Sequence, residues 1–291
     1  MHLVRRSSDT VLAALELYSG HSTGYTSASV VDHTCGSAHT GLSLNALAVG
    51  GSIAPHVHAY EEGFYVLEGQ VLVAIGDHAY VLGPGDFGAI KVGTEHSWRN
   101  AGAASARWLQ MAAPQPKPAG RERDTFFAAH GRLPSEDDAE DVAAHARRKT
   151  PAALLGHFDT SQIPPPGETR VGAGVAPGVF LKWMIDEQLG ARHHRMLFIE
   201  YQPGVSIALH DHTFEEAYFI VAGEVQATLD GQQYLVKAGD VVWTGVGCVH
   251  AFANVSSAPV QWLETFSPQP PQENVFRFMA EWEKRAREIE G

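Results

Sequence analysis

An all-β fold of two tandem barrels is what this sequence predicts, on three observations. One pattern occurs twice: Gly50, His56, His58, Glu62, Gly69, Gly85, Gly93, His96 and Asn100 recur as Gly204, His210, His212, Glu216, Gly223, Gly239, Gly247, His250 and Asn254. Each residue lies 154 positions after its counterpart, as does Trp262 after Trp108. The flanking stretches, such as Gln70 to Ile75 and Glu224 to Leu229, are short alternating runs broken by glycine turns. The 29 glycines and 16 prolines among 291 residues supply the turns that β architectures need. Repetition at one fixed offset marks a duplicated unit, so two domains are expected.

The elements follow in order. Residues 1–115 read as the first barrel. Residues 116–165 read as a linker, entered through the stiff run Pro114 to Pro118. Within it, Glu136-Asp137-Asp138 precede Arg147-Arg148-Lys149. Acid first and base last suits a helix dipole, so a short surface helix is expected there. Pro164-Pro165-Pro166-Gly167 makes a loop, and residues 166–268 read as the second barrel. In residues 269–291, Val275, Met279, Trp282, Ala286 and Ile289 fall at three- and four-residue steps, the signature of an amphipathic helix.

The histidines carry the chemistry. Residues two apart on a strand share a face, so His56 and His58 aim together, as do His210 and His212. Glu62 and Glu216 keep that parity, and His96 and His250 arrive from a later strand. Three imidazoles and one carboxylate suit Fe, Mn, Ni or Co, up to two ions per chain, with two positions left open at each. Glu62 and Glu216 are candidate proton acceptors as well as ligands. Parity also places Phe64, Trp98, Tyr218 and Phe252 on the ligand side. These rings either line a pocket for a planar substrate or fill the barrel core.

The repeated pattern resembles the two motifs of the cupin superfamily. Gly50 to Gly69 and Gly204 to Gly223 are similar to its first motif, and Gly85 to Asn100 and Gly239 to Asn254 to its second. The family's proline is replaced by Lys91 and Gly245. The resemblance implies two double-stranded β-helix (jelly-roll) barrels, a bicupin. It also implies an enzyme resembling the quercetinase-type dioxygenases, which carry three histidines and a glutamate. The alternatives are a metal-dependent decarboxylase or isomerase, and a non-catalytic binder of a small ligand. The apolar surroundings of the second site favour it as the catalytic one. Sheet-edge pairing in this family makes a homodimer the expected assembly.

Composition excludes other classes. A formal net charge of −12 argues against nucleic-acid partners. No apolar run approaches the roughly 18 residues of a membrane span. Two isolated cysteines, Cys35 and Cys248, fit a reducing, cytoplasmic home. Glu61 and Glu215 face away from the ligands and read as solvated or supporting carboxylates. Arg192 to Arg195, with His193 and His194 between, reads as an exposed basic patch.

Overall fold

The alternating runs pair as their period requires. The computed structural model describes residues 1–118, 120–141, 147–149, 153–158, 160–163, 177–187, 190–269 and 277–290. In the first half the 18-residue strand Gly41–His58 is the spine. Its leading part pairs with Ala106–Ala113 and its trailing part with His96–Arg99, so one strand joins both walls of the barrel. Glu61–Glu68 lies between Ala106–Ala113 and Asp86–Ile90. In the second half this path is cut in two. Arg195–Tyr201 pairs with Val260–Ser267, and His210–Asp211 pairs with His250–Ala253.

The motif glycines and asparagines hold this geometry. Gly69 has φ +71°, and a Cβ there would lie 2.5 Å from the Ser105 carbonyl oxygen. Gly223 repeats both constraints, with φ +78° and 2.6 Å to the Pro259 oxygen. Asn100 donates through Nδ2 to the carbonyls of Leu47 and Ala104, and Asn254 to those of Tyr201 and Ala258. The backbone N–H of Gly50 bonds the Asn100 carbonyl, and that of Gly204 the Asn254 carbonyl. The two motifs of each half are thus tied end to end. Asn254→Ala takes a donor from the carbonyl of the buried Tyr201, and a stability loss of about 1–3 kcal/mol is expected in urea titrations.

The halves exchange strands. His2–Arg5 pairs with Val241–Thr244 of the second barrel, whereas Ala153–His157 pairs with Asp86–Ile90 of the first. Asp240 fastens one exchanged strand through Arg6 and the Ser7 N–H, both at 2.8 Å. Asp86 fastens the other through His157 Nδ1 at 2.7 Å. The unit expected over 1–115 therefore gives its first strand to the second barrel, and the expected linker supplies strands to the first. The expected linker helix is one 3-10 turn, Glu136–Asp138, followed by strand Ala139–Asp141, which adds in parallel to His78–Leu82. Arg147–Lys149 is also a strand, on Ala153–His157. Sheet edges offer these backbones ladder partners, and that outweighs the helix-dipole pattern. Residues 142–146 and the loop 164–167 lie outside the described residues. The C-terminal helix forms over Met279–Glu290; Val275, at the head of the expected stripe, lies outside the described residues.

One apolar cluster crosses between the halves, joining Leu42, Tyr65, Phe87, Leu109 and Met111 to Met184, Met196, Phe198, Trp243 and Leu263. Two reciprocal carboxylate clamps flank it. Glu61 of the first barrel accepts backbone N–H bonds from Arg192, His193 and His194, and pairs with His194 Nδ1 at 2.8 Å. Glu215 of the second accepts from Ser37 Oγ and from the N–H groups of Ala38, His39 and Thr40. Both carboxylates and His194 are buried, which corrects the solvated reading of the glutamates and the exposed patch assigned to His194. Gly63 lies against this contact, where a Cβ would fall 2.3 Å from His194 Nε2. Gly63→Ala should therefore cost about 1–3 kcal/mol in a denaturant titration, the usual price of overpacking.

Candidate metal centres

Strand register brings the expected ligands together in both halves. His56 stands directly opposite His96, and His210 opposite His250. The ligand atoms of His56, His58 and His96 lie within 4.8 Å of one another, and so do those of His210, His212 and His250. Glu62 Oε2 approaches His58 Nε2 to 3.1 Å and His96 Nε2 to 3.2 Å. Glu216 approaches His212 at 3.3 Å and His250 at 3.1 Å. All eight side chains are buried.

Carbonyls orient the imidazoles. His56 Nδ1 donates to the Ala54 carbonyl at 2.7 Å and His96 Nδ1 to that of Thr94 at 2.9 Å. His210 and His250 donate in the same way to Ala208 and Cys248. A carbonyl only accepts, so Nδ1 carries the hydrogen and Nε2 turns its lone pair toward the cluster. His58 Nδ1 meets the Thr125 hydroxyl at 2.9 Å.

The donor set fits a divalent transition metal. In the first barrel His58 Nε2, His96 Nε2 and Glu62 Oε2 are buried without a hydrogen-bond partner. Such orphans are costly unless something else satisfies them, and a cation does. Electrostatics agrees. Burial, reinforced by the neighbouring His96 and His58, pushes His56 well below the usual imidazole range, so it is neutral at pH 7. Burial and His250 lower His210 to about 4. Burial alone would raise Glu62, but His96 and His58 outweigh it and hold the carboxyl far below its usual value. Against the same burial penalty, His212, His250 and Tyr218 hold Glu216 at about 2.

The four aromatic residues pack as core. Phe64 meets Trp98 edge-on at 5.3 Å, and Trp98 stacks on Trp108 at 5.1 Å. Tyr218 packs on Phe252 at 4.7 Å, and Phe252 on Trp262 at 5.6 Å. Trp98, Phe64 and Phe252 belong to the buried apolar clusters. Tyr218 alone turns a polar atom inward: its hydroxyl donates to Glu216 Oε2 and lies 3.1 Å from His250 Nε2.

Several site residues escape the motif. Thr125 sits on the short strand Thr125–Phe127, which pairs with the His56–His58 end of the spine. Arg277–Phe278 covers His210–Asp211 in the same manner. Tyr60 stacks on His58 at 4.4 Å, and Phe214 stacks on His212 at 4.6 Å. Around the second glutamate the interior is the more polar one. Tyr218, Thr244 and Glu264 stand where the first barrel has Phe64, Ile90 and Gln110. Burial and the charge of Glu216 push the Glu264 carboxyl well above its usual range. A third group, His2, Asp230 and Cys248, also gathers metal-type side chains. Both His2 ring nitrogens are already engaged there, by Asp230 and Tyr234.

Comparison with known proteins supports this architecture. The Cupin domain family model matches residues 44–111 and 197–266. An oxalate-binding protein of Thermotoga maritima is 37% identical over 62 residues, 21% of this chain and 51% of that protein; the match thus spans about half of that relative. The formate complex of Lactobacillus farciminis oxalate decarboxylase superposes with TM-score 0.65 at 16% identity, covering 96% of this chain and 89% of the other. The oxalate decarboxylase of Bacillus subtilis, which has Mn(II) centres, gives 0.64 at 17%, covering 96% and 80%. Escherichia coli protein Ylba gives 0.63 at 14%, covering 94% and 93%. At these identities the likenesses speak for the fold. No helix among the described residues is long and apolar enough to cross a membrane. Each matched segment contains one complete three-histidine, one-glutamate set, and the chain belongs to the cupin superfamily as a bicupin.

Proposed function

We propose that this bicupin is a metal-dependent lyase that releases carbon dioxide from a small carboxylate of the oxalate class. The observation that carries the reading is the packing of Phe64, Trp98 and Phe252 as barrel core. A planar flavonol needs a slot beside the ligands, whereas a substrate of a few atoms needs only the open coordination positions. That takes the support from the dioxygenase expectation. The oxalate-binding relative and the oxalate decarboxylase folds favour the same alternative.

A bound divalent ion would supply a Lewis-acid centre for a carboxylate oxygen. The chain's own residues do the rest. His56, His58, His96 and Glu62 would hold the ion. Glu62 stays ionised, so it does not donate a proton at neutral pH. When carbon dioxide leaves, the remaining carbon takes a proton. Tyr18, Tyr60 and Thr125 are hydroxyl side chains adjoining the first cluster, and burial pushes both phenols well above their usual range, so they are protonated at neutral pH. Tyr18 packs edge-on against His56 at 5.9 Å. We therefore place turnover in the first barrel, where the ligand atoms are unpartnered, rather than in the second.

The test is an assay of carbon dioxide release from oxalate and from small α-keto acids, with Mn, Fe, Co and Ni each loaded. Release without matching dioxygen consumption is expected. Dioxygen uptake in proportion to product from a flavonol or β-diketone would overturn the proposal in favour of a dioxygenase.

A further inference from the structure

We propose that Tyr218 is a metal ligand, its hydroxyl oxygen completing the donor set of the second barrel alongside His210, His212, His250 and Glu216. The inference rests on the reading of those four residues as a metal site and goes one donor further. It comes from comparing the two halves at matching positions.

Donors that sit cis on an ion at about 2.1 Å are roughly 3 Å from one another. The Tyr218 oxygen lies 3.1 Å from His250 Nε2 and hydrogen-bonds Glu216 Oε2. It therefore has the spacing of a neighbouring ligand to His250 and is tied by its hydrogen bond to a second member of the set, Glu216. The ring is held there on one side by Phe252 at 4.7 Å. It stands on strand Glu215–Ala222 with Glu216, two residues away on the same face. In the first barrel the matching residue is Phe64, which offers no donor, and there the ligand atoms of His58, His96 and Glu62 lack partners.

The two sites are thus unequal. The first presents four protein donors and leaves two positions of an octahedral ion open. The second presents five and leaves one. Chelation of a two-oxygen substrate is then confined to the first barrel, and the second, richer in oxygen donors, favours a harder ion.

The test is spectroscopic and needs no turnover. The protein is loaded with Fe(III), iron per chain is counted, and the visible spectrum is recorded. A phenol that binds Fe(III) loses its proton to solvent, and the resulting phenolate gives a charge-transfer band that imidazole and carboxylate do not. Wild type should show the band, Tyr218→Phe should lose it at unchanged iron content, and His56→Ala should keep it. Phe64 shows that the fold accepts phenylalanine at this position, and Phe64→Tyr should add a second equivalent of the band. Iron in both barrels with no band would overturn the inference and leave the metal reading standing. No iron in the second barrel would overturn both.

Discussion

Replacing His56 with alanine is expected to remove one metal ion per chain and to abolish turnover, whereas His210→Ala removes the other ion and leaves most of the activity. The cause is geometric. His56 is one of three imidazoles converging within 4.8 Å, and its lone pair is aimed by the Ala54 carbonyl. Alanine leaves His58, His96 and Glu62 with two imidazoles for a centre that the fold arranges around three. Even indirect changes around a metal cost about 10–100-fold in affinity, so loss of a direct ligand should cost on the order of 100-fold or more. Metal counting on each variant, with carbon dioxide release in parallel, checks both halves. Activity lost with His210→Ala and kept with His56→Ala would move turnover to the second barrel.

The second large effect is on stability. Glu215→Ala should cost about 3–5 kcal/mol, because it strips a buried acceptor from four donors contributed by the other half. Those donors are Ser37 Oγ at 2.6 Å and the N–H groups of Ala38 at 2.8 Å, Thr40 at 3.0 Å and His39 at 3.1 Å. Its counterpart makes the same contact sensitive to acid. Burial would raise Glu61, but the hydrogen bond and charge of His194, with the N–H groups of Arg192 and His193, outweigh it and bring it to about 2. A depressed carboxyl stabilises the fold above its unfolded value of 4.5. That contribution, about 3 kcal/mol, is lost as the pH falls from there toward 2. Denaturant midpoints measured across this window should fall in wild type and fall less steeply in Glu61→Gln. Parallel curves would mean that the clamp carries no such linkage.

How much of this was legible in the sequence depended on spacing. The eight converging side chains were, because a metal-type cluster on a strand pair demands fixed offsets, and duplication wrote them twice. The exchanged strands were not. His2 faces Thr244 and Ala153 faces Ile90, so these two strands repeat at 151 residues while the ligands repeat at 154. A comparison made at the ligand offset passes over them. Thr125, which orients His58, sits on a covering strand outside both motifs for the same reason. His194 was misread because a short run of basic residues looks solvated, and its partner Glu61 lies far away in the chain. Parity places a ring inside a barrel without saying whether it lines a cavity or fills one. The unequal polarity around Glu62 and Glu216 was readable at the constant offset, as Phe64 against Tyr218 and Ile90 against Thr244, once the strand register said which positions surround the carboxylate.

The central claim is one metal centre in each barrel. Metal content per chain, by plasma mass spectrometry on untagged protein, tests it most directly. The account predicts two equivalents of iron, manganese, cobalt or nickel, falling to one in either His56→Ala or His210→Ala. Wild-type protein that holds no metal after incubation with each of these ions would contradict it.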